Sequence, residues 1–422
     1  MTTYPRSTRP ATDPAGLRPY LRLLTATQFA FNTGFYAVLP YLAAHLGDGL
    51  GMAGWLVGLV LGLRTFSQQG LFVVGGALTD RYGPRPVVLA GCVLRIAGFC
   101  WLALAGSTAT VIGAVLLIGF AAALFSPAVE SETARAAVAY ETSTGTPRAQ
   151  VLAVFSAAGQ AGAFLGPLLG SLLLLLGGGF RTACAAGAVV FVGVLAGHAR
   201  LMPRGPRRVR RGRGPGAGSG APREVLANRP FLVLCLVYSS YLVSYNQLYL
   251  ALPAEVEQAT GSQEALGGLF ALSSLLVVAA QLPLTRWSAR RVAPRSALAT
   301  GLAVVAAGFV LVPVLPGGPA GLLPVSAFTV LLTLGQMLLV PAARGLVPDL
   351  VEDRRLGLAT GAMSSLSGVA VLVGSAATGT LLDAPGPVLW TALAAVPLAG
   401  AAIALTLPSG RGAGEPATTV TD

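Results

Sequence analysis

Apolar stretches of about 20 residues recur along the whole chain, and short polar segments that contain Gly and Pro separate them. A helix that crosses the hydrocarbon core of a bilayer needs roughly 20 mainly apolar residues, so each stretch is long enough to span a membrane. The pattern predicts twelve membrane-spanning helices, which we number as spans 1 to 12. They are expected near residues 21–45, 54–79, 86–106, 109–133, 149–176, 181–200, 230–254, 264–286, 294–315, 320–344, 356–382 and 387–407.

The composition agrees with this pattern. Of the 422 residues, 54% are hydrophobic and only 10% are charged, and the mean hydropathy is +0.72. These values exclude an ordinary soluble domain and indicate an all-α polytopic membrane protein. With 2 His, 4 Cys and 16 acidic residues, the chain is too poor in catalytic and metal-binding side chains to suggest an enzyme, a metal site or a cofactor.

The net charge of +12 comes entirely from arginine, because the chain contains no lysine. If the N-terminus is inside, 25 of the 28 arginines fall in cytoplasmic segments, and only Arg181 falls in an outer one. This asymmetry fits the positive-inside rule, so we expect both termini in the cytoplasm and the protein in a plasma membrane. The excess of arginine is therefore explained by membrane topology, together with some contact between arginines and anionic lipid. No nucleic acid partner is expected. Exclusive use of arginine suggests a GC-rich bacterial source.

A segment rich in Arg, Gly and Pro, residues 200–229, separates two groups of six spans that resemble each other in sequence. At an offset of 213, "NTGFYAVLP" at 32–40 aligns with "YNQLYLALP" at 245–253. At 214, "FSPAVE" at 125–130 aligns with "LVPAAR" at 339–344, and near 206, "ALTDRYGPRP" aligns with "PLTRWSARRV". We therefore predict two pseudo-symmetric six-helix bundles, 1–199 and 230–422, joined by a cytoplasmic linker at 200–229. Parallel repeats of this kind are typical of transporters whose halves rock about a central site.

Two motifs identify a family. The stretch "GGALTDRYGPRPVVLAG" between spans 2 and 3 resembles the G-x-L-x-D-R-x-G-x-R signature of the major facilitator superfamily. In span 5, "GAFLGPLLGS" resembles the antiporter signature of that superfamily, with Ser171 in place of a final Gly. The stretch "VGLVLGLRTFSQQGLFVVGGALTDRYG", followed by "VLRIAGF", is similar to the MdtH-type branch of drug:proton antiporters.

The resemblance implies the major facilitator fold and assigns conformational roles to both motifs. In the family, the loop between spans 2 and 3 steadies one end state of the transport cycle, which implies this role for Asp80, Arg81 and Arg85; the alternative is a solvated charged turn. The strip of small residues on span 5 allows close helix packing, with or without a role in the direction of transport. It consists of Gly162, Gly166, Pro167 and Gly170.

The family resemblance also implies that spans 1, 4, 7 and 10 line a central cavity. Span 7 carries four tyrosines spaced by three and four residues, within roughly an 80° arc of one helix face. The offset of 213 places four polar residues of span 1 at matching depth. Polar groups and rings of this kind suit an amphipathic solute, whereas an interfacial aromatic belt accounts only for rings near helix ends. The predicted substrate-binding residues are Thr25, Gln28, Asn32, Phe35, Tyr36, Tyr238, Tyr241, Tyr245, Asn246 and Tyr249.

Charged residues within spans are functional candidates. Span 1 lacks the acid that relatives of this branch carry there, so proton coupling is assigned to Glu130 first and to Glu132 second; a uniporter and coupling to another ion stay open. The offset of 214 pairs Glu130 with Arg344, which suggests a gate at the inner ends of the two halves. Alternatively, each charge reaches the cytoplasmic interface by itself. His45 and His198 lie at span ends, so we expect a solvated or interfacial role for them and not a proton relay.

The sequence thus predicts a monomeric secondary transporter that exports amphipathic organic compounds, of the multidrug type, in exchange for protons. Arg64 and Arg95, which lie within spans 2 and 3, leave a second interpretation open, in which these buried arginines bind an anionic metabolite and the protein is a uniporter or symporter. A membrane receptor that transports nothing is the third interpretation.

Overall fold

The structure, a computed structural model, describes residues 14–202, 227–316, 321–352, 356–382, 384 and 386–407. The described residues form long helices in the order that the apolar pattern predicts, and the all-α membrane fold is confirmed. The helices are α1 (Pro14–Tyr36), α2 in two segments (Gly54–Gln69 and Phe72–Tyr82), α3 (Pro84–Leu104), α4 (Thr108–Thr144), α5 (Arg148–Leu175), α6 (Gly179–Leu201), α7 in two segments (Arg229–Asn246 and Ala251–Thr260), α8 (Ala265–Arg291), α9 (Pro294–Val314), α10 (Leu323–Leu350), α11 (Leu356–Leu381) and α12 (Gly386–Ala404).

Eleven of these described helices are long and apolar enough to cross a membrane, and α1 is the exception. Its apolarity is reduced by Arg18 and Arg22 and by the polar face that begins at Thr25. The helix also begins and ends earlier than the expected span at 21–45. It ends at Tyr36, because Pro40 has no N–H to donate to the Tyr36 carbonyl. Short helical turns follow over Leu39–Tyr41, Leu42–Ala44 and His45–Gly49.

Glycine and proline set two of the sharpest helix ends. Gly83, with φ +87°, ends α2, and Pro84 occupies the first position of α3. Gly145, with a left-handed φ of +74°, ends α4, and its N–H donates to the Glu141 carbonyl.

Each half contains six of the described helices, so the start of α1, the end of α6, the start of α7 and the end of α12 lie at one end of the bundle. We call this the linker end and the opposite one the far end. The halves meet mainly through α2 against α11 and α5 against α8. Gly54, Gly58 and Gly62 allow close contact at the first interface, where a Cβ on Gly62 would lie 2.9 Å from the Leu372 Cα.

Candidate functional site

The four tyrosines of α7 form a continuous row of rings. Successive ring centroids from Tyr238 through Tyr241 and Tyr245 to Tyr249 are 5.7, 5.8 and 5.9 Å apart. The Tyr245 and Tyr249 hydroxyls lie 3.3 Å from each other, and the Tyr249 ring stacks on Phe270 of α8 at 5.5 Å. Tilted and edge-on contacts at these distances are favourable for aromatic pairs, so the row is a rigid aromatic surface.

Tyr36 of α1 joins this row from the other half of the molecule. It interacts electrostatically with Tyr241, Tyr245 and Tyr249. The guanidinium of Arg64 on α2 lies close enough to act on Tyr36, Tyr245 and Tyr249. Tyr36 and Tyr249, which the sequence repeat pairs, thus lie within electrostatic range of each other. We call Tyr36, Tyr238, Tyr241, Tyr245 and Tyr249 the central tyrosine cluster.

The other polar residues of the α1 face lie elsewhere. Gln28 and Asn32 flank Gly159 of α5, where a Cβ would lie 3.1 Å from the Gln28 Nε2 and 3.2 Å from the Asn32 Nδ2. The Asn32 Nδ2 donates to the Gln28 carbonyl at 3.0 Å. Both side chains are half-buried. The structure therefore places them at the α1–α5 contact and not in the tyrosine cluster.

Thr25 lines a groove of about 640 Å³ at the linker end, between α1, the end of α4 and the start of α5. Phe29 and Val154 line the same groove, and Arg18 and Tyr140 stand at its polar end, where the Arg18 Nε donates to the Tyr140 hydroxyl at 3.3 Å. The groove combines apolar walls with two basic groups, those of Arg18 and Arg22, and one phenolic group, that of Tyr140, a lining that suits an amphipathic molecule.

Two further predicted binding residues are occupied by structural contacts. The Asn246 Oδ1 accepts a hydrogen bond from Thr65 of α2 at 3.3 Å, and its Nδ2 donates to Ser375 of α11 at 2.7 Å. The Phe35 ring is buried and lies 4.4 Å from the Arg64 guanidinium and 5.0 Å from that of Arg95. Asn246 therefore joins the halves, and Phe35 shields two cations.

The two buried arginines differ in their surroundings. The Arg95 guanidinium lies 5.0 to 5.3 Å from the rings of Phe31, Phe35, Phe99 and Phe191, and it donates to the Ile118 carbonyl at 2.8 Å. Cation–π contacts and one carbonyl take the place of a counter-ion here. Arg64 instead donates to Gln68 at 2.6 Å and borders the tyrosine cluster. Of the two arginines, Arg64 is the one that lies beside the tyrosine cluster.

The acidic candidates lie nearer the linker end. Glu130 and Arg344 are both exposed, and Arg344 acts electrostatically on Glu130 and on Tyr241. Glu130 and Arg344 form no ion pair with each other or with any other described residue. Glu132 accepts hydrogen bonds from Tyr20 at 3.0 Å and from Arg135 at 2.6 Å, which leaves it fixed in place.

The strip of small residues on α5 packs against α1. A Cβ on Gly166 would lie 2.7 Å from the Thr33 carbonyl oxygen, and one on Gly162 would collide with the Phe29 carbonyl. A Cβ on Gly170 would lie 2.5 Å from the Ala37 carbonyl oxygen. The Pro167 carbonyl accepts a hydrogen bond from the Tyr41 hydroxyl at 2.6 Å. Glycine is thus required at three successive turns by the approach of a neighbouring backbone.

Ser171 joins the two halves at the far end, and we call its set of hydrogen bonds the far-end latch. Its hydroxyl lies 2.7 Å from the Tyr41 hydroxyl, donates to the Glu264 carbonyl at 2.8 Å and accepts from the Gly267 N–H at 3.2 Å. Tyr41 and Ser171 belong to one half, and Glu264 and Gly267 to the other. This far-end latch could have been suspected from the departure of Ser171 from the glycine of the family signature.

The loop between α2 and α3 is tied to α6. The Arg85 Nη2 donates to the Ala199 carbonyl at 2.7 Å, and the Arg81 guanidinium lies 5.2 Å from the Tyr82 ring. Asp80 lies in the second segment of α2, and its side chain is outside the part of the structure that is described.

His198 was expected at an interface, and this expectation is wrong. The side chain is fully buried in the first half, with its Nε2 2.9 Å from the Thr27 hydroxyl and its ring edge-on to Phe125. The cause is that His198 lies on the face of α6 that packs against α1 and α4, where Thr27 and Phe125 enclose its ring.

A sequence model of one transporter family covers nearly all of the chain. The model described as "Major Facilitator Superfamily" matches residues 23–258 and again residues 234–418. The chain belongs to the major facilitator superfamily. It is therefore a multi-pass membrane transporter of a small-molecule substrate and not an enzyme.

Relatives narrow the resemblance to a branch. The chain is 38% identical over 372 residues to an uncharacterized MFS-type transporter of Mycobacterium tuberculosis (strain ATCC 25618 / H37Rv), with 86% of each chain covered. It is 32% identical over 344 residues to the multidrug resistance protein MdtH of Aeromonas hydrophila, which covers 79% of this chain and 83% of the relative. The predicted resemblance to the MdtH-type branch is thereby confirmed.

Solved structures show the same fold at low identity. A POT family transporter in complex with 5-aminolevulinic acid superposes with a TM-score of 0.75 at 13% identity and covers 92% of this chain and 95% of that one. A mutant of the nucleoside transporter NupG gives a TM-score of 0.75 at 13% identity, with 93% and 99% covered.

Proposed function

We propose that this protein exports amphipathic organic compounds by alternating access, in exchange for protons, and that it acts as a monomer in the bacterial plasma membrane. The observation that carries the proposal is the central tyrosine cluster, in which Tyr36 of one half meets the tyrosine row of the other. A solute bound there contacts both halves, which a rocking transporter requires of its substrate site.

The chemistry of the cluster favours an amphipathic solute. Phenol rings offer apolar area and attract cations to their faces, and their hydroxyls donate and accept hydrogen bonds. None of the residues of the cluster is acidic, and Arg64 beside the cluster supplies a positive charge. The cluster therefore suits a molecule with an aromatic or aliphatic body and a polar group.

Contacts between the halves support a conformation that opens at the linker end. The far-end latch and the close approach of Gly54 to Gly379 join the halves at the far end. At the linker end, Glu130 and Arg344 are exposed. With both termini cytoplasmic, as the arginine distribution favours, this arrangement receives a solute from the cytoplasm.

Glu130 and Arg344 supply a coupling step. When the halves close at the linker end, an ionised Glu130 carboxylate meets the Arg344 guanidinium, and the pair stabilises the state open at the far end. Protonation of the carboxylate removes this attraction and favours the state described here. One proton would thus enter the cell each time the empty transporter returns to the state that is open at the linker end. Glu132, already bound to Tyr20 and Arg135, is the second candidate.

The test uses the purified protein in liposomes loaded with a fluorescent amphipathic cation such as ethidium, with and without an imposed pH gradient. We expect a gradient-driven flux that Glu130→Gln removes, while dilution-driven exchange of the cation continues. Flux that is equal with and without the gradient contradicts proton coupling. Absence of any flux, with binding retained, contradicts transport of this class of solute and favours a receptor.

One observation favours a second candidate, an anionic solute. The Arg64 Nε makes no hydrogen bond although it is buried beside the tyrosine cluster. A carboxylate that entered the cluster would find this donor free. A competition panel of cationic and anionic solutes separates the candidates, because Arg64→Gln weakens binding of anions only.

A further inference from the structure

A second cavity lies at the linker end, away from the tyrosine cluster, between α8, α9 and α10. Its volume is about 480 Å³, and ten of its fourteen lining residues are apolar, so the groove is mainly hydrophobic. Met337 forms a fully buried part of its wall, and Pro341 and Ala342 continue that wall toward the linker end.

Pro341 explains how the groove forms. A proline inside a helix has no N–H for the carbonyl four residues earlier, which here is that of Met337. The Gln281 amide of α8 donates to this carbonyl instead, at 3.2 Å, and also to the Thr285 hydroxyl at 2.8 Å. Gln281 therefore joins α8 to α10 by a hydrogen bond on the far-end side of the groove. The groove lies on the linker-end side of this contact.

The mouth of the groove is basic. Arg290 and Arg291 line it, both are exposed, and neither has a hydrogen-bond or ion-pair partner among the described residues. None of the lining residues is acidic. Two unpaired guanidinium groups above an apolar groove are complementary to an anion that carries a hydrocarbon chain.

Ser288 adds a buried polar group that points to a ligand. Its side chain is only 8% exposed and lines the groove, yet its hydroxyl makes no hydrogen bond with any described residue. A hydroxyl that lines a groove and has no protein partner can donate to a ligand oxygen. Trp287, next to it and 48% exposed, has the side chain that is enriched at membrane interfaces.

The first half differs at the equivalent loop. The offset of 206 aligns Asp80 with Arg286, so the acid of the family signature is replaced by a base in the second half. From residue 283 to residue 295, the last turns of α8 and the start of α9 carry four arginines and no acid. The basic groove is thus a property of one half only.

We propose that this groove binds an anionic phospholipid, with the lipid phosphate at Arg290, Arg291 and Ser288 and an acyl chain along Met337 and Ala342. The site is separate from the transported solute and would hold the second half in contact with the leaflet at the linker end.

The test is a titration of the detergent-solubilised full-length protein, followed by native mass spectrometry. The probes are phosphatidylglycerol, phosphatidylcholine and inorganic phosphate. We expect phosphatidylglycerol to bind and phosphatidylcholine to bind far more weakly. A basic residue near an anionic lipid is worth roughly fivefold in affinity, so the double change R290Q and R291Q should weaken phosphatidylglycerol binding roughly 30-fold.

The matched control is the double change R135Q and R148Q, which removes two arginines from the same end of the bundle and should leave binding unchanged. Gly345→Leu tests the apolar part, because a Cβ at Gly345 meets no atom within 4 Å and a larger side chain can grow into the groove. It should weaken lipid binding without changing the charge.

Two results would overturn the proposal. One is phosphatidylglycerol binding that is equal in the wild type and in the Arg290 and Arg291 double variant. The other is complete displacement of the lipid by inorganic phosphate together with no effect of Gly345→Leu, which would assign the groove to a free anion.

Discussion

The polar faces of α1 and α7 occupy matching positions in the two halves, yet the structure uses them differently. On α7, Tyr238 to Tyr249 form an unbroken row of rings. On α1, Gln28 and Asn32 lie against the glycines of α5, and only Tyr36 reaches the tyrosine row. Pseudo-symmetric helices thus differ in their contacts: α7 carries the proposed recognition surface, and α1 packs against α5.

The largest effect is expected where this α1–α5 contact is tightest. Gly162→Ala places a methyl group against the Phe29 carbonyl, and overpacking of this kind costs about 1–3 kcal/mol. We expect a lower midpoint of thermal unfolding in detergent and reduced transport. Gly193→Ala on α6, where a Cβ meets no atom within 4 Å, is the control and should leave both unchanged. Equal effects of the two changes would contradict the view that α1, unlike α7, depends on tight packing against α5.

Ser171→Ala should have the next largest effect. It removes hydrogen bonds that hold the halves together at the far end, each worth about 1 kcal/mol, so the population open at the far end should rise about 5- to 30-fold. Spin labels at Asp48 and Gln258, which face each other across a far-end cavity, report the distance once Cys100 is replaced by serine.

The control for the latch is Ser143→Ala, whose hydroxyl bonds only to the Tyr140 carbonyl of its own helix. An unchanged distance distribution for Ser171→Ala would show that the latch does not hold this end closed. Tyr41 would then extend the α1 contact with α5 without any role in gating.

A smaller effect tests whether the two faces meet. Tyr36→Phe and Tyr245→Phe each remove one hydroxyl of the cluster, and the free energies of solute binding should be non-additive by about 0.5–1 kcal/mol, since the residues interact. The pair Tyr36 and Tyr238 serves for comparison and should be additive. Additivity in both pairs would separate α1 from the recognition surface altogether.

The smallest effect is expected for Thr25→Val. Thr25 lines the groove at the linker end and not the tyrosine cluster, so the affinity for the solute should change less than about twofold. The rate of solute entry from the linker end is the quantity to follow by stopped-flow fluorescence. A large loss of equilibrium affinity would extend the binding site along α1.

Much of the fold could be predicted from local pattern alone. Span 9 was expected at 294–315 and α9 is Pro294–Val314, because Pro and apolar length define both ends. The four-residue spacing of Gly162, Gly166 and Gly170 correctly indicated close packing. The α1 boundaries were less accurate, since a single proline at position 40 outweighed the continuing apolar pattern.

The site was less predictable, because its contacts join residues far apart in sequence. The ring of four phenylalanines around Arg95 draws on α1, α3 and α6. Burial of His198 depends on Thr27, 171 residues away. The latch at Ser171 joins two halves. Spacing along one helix shows which residues share a face, and packing between helices decides what that face meets.

The central claim is that the tyrosine row binds the transported solute, and the affinity of the Tyr245→Ala variant for an amphipathic cation tests it most directly. Isothermal titration of the purified protein should show binding weakened about tenfold, since loss of a stacked ring costs about 1–2 kcal/mol. Tyr82→Ala, which removes an exposed tyrosine from the loop between α2 and α3, should bind like the wild type. Unchanged affinity in the folded Tyr245→Ala protein would contradict the claim.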